Sequence, residues 1–383
     1  MTRIAAVRSV FPPYHYPQAE FTRAVAEFTL SAAGGPTDSG ADGRGLDPQR
    51  VALLERLHSN AGVSGRHTVF PLSSYRQLGA NGTSVNDVYI EEATALGERA
   101  LRAALASSGV AAADLDLLMV MSVTGVTVPS LDARLIPKLG LRPDVKRLPV
   151  FGLGCVAGAA GLARLHDYLA GWPRHTAALV TVELCSLCWP RTSVTTADMV
   201  ASALFGDGAA ALVATGGLVG TDPGSASARR RRQRSPRRLP WIVATRSEVY
   251  PDSSDALGWR LAADGGFRIV VTSGLAEVVE RHLGASVTGF LADHGLTVDD
   301  IGNWICHPGG PRVLDAAQRA LKLPDAALSL SRRSLAEAGN MSSVSVLHIL
   351  ELTADAGAVR PGSFGLMIGL GPGVSAELVL MRW

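Results

Sequence analysis

Two stretches of the chain carry the same run of apolar and polar positions. In "ALASSGVAAADLDLLMVM" (104–121) and "FLADHGLTVDDIGNWICH" (290–307), Leu105 and Leu291, Ala106 and Ala292, Gly109 and Gly295, and Asp114 and Asp300 coincide at a constant offset of 186. Each stretch predicts an amphipathic helix closed by a glycine C-cap, a short acidic turn and then an apolar strand. Downstream, Gly154-Cys155 falls opposite Gly339-Asn340 at an offset of 185, and each pair precedes small residues leading into a helix. A third match follows in the same order: "LFGDGAAALV" (204–213) resembles "GLGPGVSAELV" (369–379), both glycine turns before apolar strands. Three matches in one order predict a duplicated α/β unit, with two similar halves packed face to face and a site where equivalent loops meet.

Composition agrees with that reading and narrows it. The 383 residues include 47% hydrophobic, 18% charged and 41 glycines, the profile of a small-residue-rich globular α/β protein with tight turns. No stretch reaches the 18 consecutive apolar residues that predict a membrane span, and the N-terminus places arginines within its only apolar run, unlike a signal peptide. Four cysteines (155, 185, 188 and 306) form no evident disulfide framework, so a reducing cytoplasm is expected. The formal charge of +2 hides an asymmetry: seven arginines sit in "SASARRRRQRSPRRLP" (225–240), leaving the remainder five charges negative. That run reads as a solvated surface insertion, and no nucleic-acid partner is expected from it. The chain then divides into a first half (1–220), the Arg-rich insertion (221–240) and a second half (241–383).

Chemistry enters through the paired turns. Cys155 and Asn340 occupy equivalent loop-to-helix positions, and His307 ends the strand of "WICHPGGP". A cysteine at a helix N-terminus beside an imidazole is expected to ionise near neutral pH. The Asn340 amide and a ring N–H of His307 can donate to the oxygen of a thioester or of the enolate left by decarboxylation. One pocket can therefore serve acyl transfer and carbon–carbon bond formation. Cys185 and Cys188 have C-x-x-C spacing without a second pair, so they read as wall residues, and no metal site is expected. No glycine turn has nucleotide-binding spacing.

Five motifs in this order, "GCVAGAAGLARLHDYL", "LFGDGAAAL", "HPGGPRVLD", "GNMSSVSVL" and "GLGPGVSAE", resemble the type III polyketide synthases, the chalcone synthase-like group of thiolase-fold condensing enzymes. The resemblance covers nearly the whole chain. It implies a five-layered αβαβα thiolase-like fold, a catalytic Cys155, His307 and Asn340, and gating phenylalanines at Phe205 and Phe267. Arg56, in "LERLHSNAG", lines up with a basic CoA contact, with Gly309 beside it, while Leu53 and Asn60 stand where two other basic contacts would be. The pocket residues it implies are Val123, Thr124, Val128, Cys185, Cys188, Gly258, Ser342, Gly371 and Pro372. The substrates would be malonyl-CoA and acyl-CoA thioesters, with no cofactor, and the assembly a homodimer. Compact residues at Thr124, Val128 and Cys188 favour an alkyl-chain tunnel, hence an alkylresorcinol or alkylpyrone synthase taking fatty acyl-CoA starters, with malonyl-CoA or methylmalonyl-CoA as extender. The alternative is a tetrahydroxynaphthalene-type synthase using malonyl-CoA alone, which shares "CSLC" but usually carries a cysteine where this chain has Val123. More distant readings are a ketoacyl-carrier-protein synthase III-like enzyme and a noncatalytic acyl-CoA-binding scaffold.

Overall fold

A computed structural model describes residues 1–27, 47–75, 77–78, 84–189, 194–219, 239–261, 267–271, 274–357 and 359–383, without the side chains at 261, 267, 268 and 271. The Arg-rich segment lies outside them apart from Leu239 and Pro240. Through the first half run β1 (Thr2–Val10), β2 (Tyr14–Pro17), α1 (Gln18–Val25), α2 (Pro48–Ser59), β3 (Gly65–Thr68), α3 (Val85–Ser108), β4 (Leu117–Met121), α4 (Leu131–Leu139), β5 (Lys146–Val150), α5 (Ala157–Gly171), β6 (Thr176–Leu184), α6 (Thr196–Leu204) and β7 (Asp207–Thr215). The second half contributes β8 (Trp241–Val249), β9 (Leu257–Leu261), β10 (Phe267–Val271), α7 (Leu275–Ala292), β11 (Ile301–Cys306), α8 (Pro311–Leu321), α9 (Ser329–Ala338), α10 (Ser345–Asp355), β12 (Phe364–Gly371) and β13 (Ser375–Arg382).

The duplication read from the sequence is present in four strands of each half, with β5 added at the edge of the first. The largest sheet runs β11-β12-β13-β8-β1-β7-β6-β4-β5, and its halves join only where β1 meets β8 at Thr2–Ile242 and Arg3–Trp241. In one half, β1 and β7 are antiparallel, β7 and β6 antiparallel, and β6 and β4 parallel. In the other, β8 and β13, β13 and β12, and β12 and β11 repeat those directions. The glycine caps agree as well, with Gly109 at φ 71° and Gly295 at φ 68°, a left-handed geometry that other residues adopt only with strain.

Side-chain alternation makes both halves of the sheet apolar on both faces, and this produces the layers. On β6, Ala177 and Leu179 pack inward with Leu162 and Leu165 of α5 and Leu347 and Ile349 of α10, whereas Ala178, Val180 and Val182 pack outward with Leu101 of α3 and Leu135 of α4. On β13, Val379 and Met381 join the central cluster while Leu378 and Leu380 face Leu283 of α7 and Leu314 of α8. The result is helices, sheet, central helices, sheet and helices: the five-layered thiolase-like fold expected from the sequence.

The central layer is closed by backbone approaches that only glycine permits. A Cβ on Gly158, in the first turn of α5, would lie 2.1 Å from the Ser343 carbonyl oxygen, and one on Gly371 would lie 2.7 Å from the Val156 nitrogen. Because Gly158 meets backbone from the other half, the contact cannot yield by rotating a side chain. Gly158→Ala is therefore expected to destabilise the protein by about 1–3 kcal/mol, an overpacking cost, and to lower the melting temperature by about 1 °C per kcal/mol. An unchanged melting curve would show that the halves have slack there.

Candidate active site

Cys155 sits in a 3-10 turn, Gly154–Val156, that leads directly into α5. Gly154 takes φ 57°, and its missing Cβ leaves room for the Pro372 ring, which a Cβ would approach to 2.6 Å. Asn340 follows Gly339, at φ 72°, at the matching turn of the second half. It is stitched to the first half by its backbone: Asn340 N–H donates to Leu204 O (2.8 Å), Gly206 N–H donates to Asn340 O (3.1 Å), and the residue bridges Phe205. Ser342 N–H donates to Asn340 Oδ1 (2.9 Å), which assigns the oxygen and leaves the Nδ2 donors for the pocket. His307 stands just past β11, its N–H donating to Ile368 O (2.9 Å), and its Nδ1 is buried without a hydrogen-bond partner among the described residues.

These three side chains line one inner pocket together with Phe205, Leu257, Gly371 and Val374. The pocket is narrow, about 40 Å³, and opens through Val200, Leu204, Leu275, Gly309 and Val313 into an outer funnel of about 660 Å³ that Arg56 also lines. Behind Phe205 lies a recess of about 20 Å³ bounded by Cys185, Cys188, Trp189, Trp259 and Ile269. Both inner spaces are small beside the funnel.

Electrostatics frame the nucleophile. Burial raises the Cys155 thiol to about 12 and lowers His307 to about 3. The thiolate expected from the sequence is thus opposed by burial, which disfavours each charge taken singly. A proton passed from Cys155 to His307 would instead create two opposite charges that attract each other in a low-dielectric pocket at the N-terminal end of α5. The Ser342 hydroxyl has no hydrogen-bond partner among the described residues, and its proximity lowers the thiol.

Not every expected wall residue reaches the pocket. Cys185 and Cys188 line the recess, Gly309 lines funnel and pocket, and Pro372 braces Gly154. Val128 does not: it is 97% exposed, on the loop between β4 and α4. Gly258 is also misplaced, because strand alternation turns Leu257 and Trp259 on either side of it toward the cavities. Val123 and Thr124 are buried around a carboxylate instead. Val123 N–H (3.1 Å) and Thr124 Oγ1–H (3.2 Å) donate to Glu183 Oε2, while Thr124 Oγ1 accepts from Leu184 N–H (2.9 Å). Phe267 opens β10 opposite Leu261, and its side chain lies outside the described residues.

Three features escaped the sequence reading. Glu183, raised to about 7 by burial, accepts Ser343 Oγ–H (2.6 Å) from the other half, and its signal was a single acid in the otherwise apolar strand "TAALVTVEL". Arg66, fully buried, donates to Ser202 O and Phe205 O (2.6 Å each) at the C-terminal end of α6, and so fixes the backbone of Phe205. Trp259 stands 6.3 Å from Phe205, ring centre to ring centre.

A cysteine from one half and a histidine and an asparagine from the other line one pocket at the seam of a duplicated thiolase-like fold, and comparison with known proteins gives the family. Residues 52–223 match the N-terminal domain and residues 242–383 the C-terminal domain of chalcone and stilbene synthases. The chain belongs to that family, the type III polyketide synthases. It is 50% identical over 382 residues to a 1,3,6,8-tetrahydroxynaphthalene synthase of Streptomyces peucetius subsp. caesius, covering 100% of this chain and 93% of that protein. It is 32% identical to a putative chalcone synthase of Bacillus subtilis, covering 86% of this chain and 89% of that one. Among solved structures, the tetrahydroxynaphthalene synthase of Streptomyces coelicolor superposes with a TM-score of 0.84 at 29% identity, over 100% of this chain and 99% of that one.

If His307 accepts the proton of Cys155, its removal should shift thiol reactivity. Measured by alkylation with iodoacetamide across pH, the Cys155 inflection in His307→Gln is expected about 1–3 units above that of the wild type, the effect of losing an adjacent cation. Coincident profiles would show that the two side chains do not share a proton.

Proposed function

We propose that this protein condenses malonyl-CoA repeatedly, with malonyl-CoA as both starter and extender, and cyclises the chain to an aromatic polyketide of the tetrahydroxynaphthalene type. The observation that carries the reading is a Cys155, His307 and Asn340 pocket whose inner recess ends on Trp189 and Trp259. The full-length similarity to a tetrahydroxynaphthalene synthase supports it. The fatty-acyl reading loses its basis in the walls. Of the three compact residues behind it, Val128 faces outward, Thr124 is committed to Glu183 and Leu184, and only Cys188 lines the recess.

The geometry supports a definite sequence of steps. Cys155 Sγ, its proton passed to His307, attacks the thioester carbonyl; the C–S bond to CoA breaks and the CoA thiolate leaves with the proton from His307. A second malonyl-CoA loses its carboxylate as CO₂, and the electron pair of the broken C–C bond moves into an enolate whose oxygen accepts from His307 and Asn340 Nδ2. The enolate carbon attacks the Cys155 thioester, forming the new C–C bond and releasing the Cys155 thiolate. Phe205, touching both inner spaces and bridged to Asn340, is the wall that moves as the chain lengthens. The expected homodimer has an apolar edge available to it: β5 ends the sheet, with Leu148, Phe151 and Leu153 exposed.

Incubation with malonyl-CoA alone, read by mass spectrometry, should yield an aromatic product from several condensations, and Cys155→Ala should abolish it. A strict requirement for a fatty acyl-CoA starter would restore the alkylresorcinol or alkylpyrone reading, and a single condensation dependent on a carrier protein would sink both.

A further inference from the structure

The 3-10 turn Cys185–Cys188 supplies two walls of the recess behind Phe205. Three residues per repeat put Cys185 and Cys188 on the same side of the turn, toward the recess. Leu187 packs into the outer apolar cluster with Val182 and Leu184, and Ser186 is buried without lining the cavity. Cys188 Sγ itself makes only a weak contact with Thr124 O (3.6 Å).

Ser186 is where the turn is anchored. Its N–H donates to Asp207 Oδ1 (2.8 Å) and its hydroxyl to Asp207 Oδ2 (2.5 Å), which also accepts Val69 N–H (3.0 Å). Because the one hydroxyl hydrogen of Ser186 goes to Asp207, the contact with Tyr75 Oη (2.6 Å) runs the other way, with Tyr75 donating. Tyr75 Oη in turn accepts Phe70 N–H (3.4 Å). The row is directional and ends on a carboxylate that is fully buried. Burial raises Asp207 to about 7, while the Ser186 and Val69 donors and the Arg66 guanidinium pull it back toward the charged form.

The same carboxylate opens β7 two residues after Phe205, whose carbonyl Arg66 holds (2.6 Å). The wall of the recess and the phenylalanine facing it are thus referred to one fixed point. Tyr75 also meets Trp189, another wall, at 4.7 Å between ring centres. The recess is only about 20 Å³, so any displacement of the turn changes it by a large fraction.

We propose that Ser186, clasped between Tyr75 and Asp207, is a positioning residue that sets the recess wall and so the number of condensations completed before the chain cyclises. The inference rests on the proposed condensation of malonyl-CoA, with the recess receiving the growing chain. Neither Ser186 nor Tyr75 lines the pocket of Cys155, so their influence falls on product size rather than on the chemistry of each step. Without the Ser186 hydroxyl, Asp207 loses a donor and Tyr75 its acceptor, and buried groups left unmatched cost enough to move the turn that carried the match.

The test compares wild type, Ser186→Ala, Tyr75→Phe and the double variant on malonyl-CoA, with products resolved by mass spectrometry. Each substitution deletes one hydroxyl, and Tyr75→Phe keeps the ring against Trp189. Ser186→Ala should change the ratio of shorter to longer polyketides by about two- to tenfold, the range that one hydrogen bond corresponds to, with KM for malonyl-CoA changed less than about twofold. Shorter products gain if the turn moves into the recess and longer ones if it withdraws; both support the proposal. Tyr75→Phe should move the ratio in the same direction by a smaller factor, and the double variant no further than Ser186→Ala, because the two hydroxyls act in one row. An unchanged ratio, or effects that multiply in the double variant, overturns it. Alkylation of Cys185 and Cys188 by iodoacetamide, mapped by peptide without substrate, should quicken by about two- to tenfold in Ser186→Ala. Unchanged labelling overturns the anchoring. Absence of aromatic product from the wild type would sink the condensation reading, and the labelling would still decide the anchoring. If Ser186→Ala does not fold, Tyr75→Phe carries both readouts.

Discussion

Everything at the pocket depends on how closely the two halves can approach across the central helical layer. Gly158 of α5 lies against the Ser343 carbonyl and Gly371 against Val156, at separations that a single methyl group would violate. That contact sets Cys155, from one half, beside Asn340 and His307, from the other. Without it the cysteine and the histidine and asparagine would belong to two separate surfaces. Small residues in "GCVAGAAG" thus serve geometry before chemistry: they let two helix starts meet, and the chemistry occupies the meeting point.

Buried polar groups then fix what the glycines bring together. Glu183 joins the Val123–Thr124 loop of one half to Ser343 of the other, and its burial raises it to about 7. Arg66 holds the end of α6 and the Phe205 carbonyl, with the Asp207 carboxylate favouring its charge. Such groups are costly to desolvate, and leaving one partner unmatched would cost more than the pair contributes. Their effect is positional: Phe205 is held by its backbone from both sides while its ring separates pocket and recess.

The duplication was legible because it is written in turn chemistry. Gly109 and Gly295, and Gly154 and Gly339, all adopt positive φ, a requirement that leaves glycine at matched positions in both halves. Cys155 and Asn340 were found through those turns and His307 as the end of an apolar strand, and the structure sets all three in one pocket. The walls were less legible for a physical reason. Whether a residue faces a cavity depends on strand register and loop direction, so Gly258 was assigned to a pocket that its neighbours Leu257 and Trp259 line, and Val128 to a wall from which it projects away. Starter preference was the least legible of all, since it turns on a few methylenes of space, worth about 1–3 kcal/mol each.

The central claim is that one thiol, Cys155, carries the growing chain at the seam between the halves. Peptide mapping by mass spectrometry after rapid acid quench of the enzyme turning over malonyl-CoA tests it most directly. The account predicts thioester adducts on the peptide containing Cys155, in a series separated by one condensed ketide unit. Adducts on Cys185, Cys188 or Cys306 instead, or turnover with Cys155 left unmodified, would contradict it.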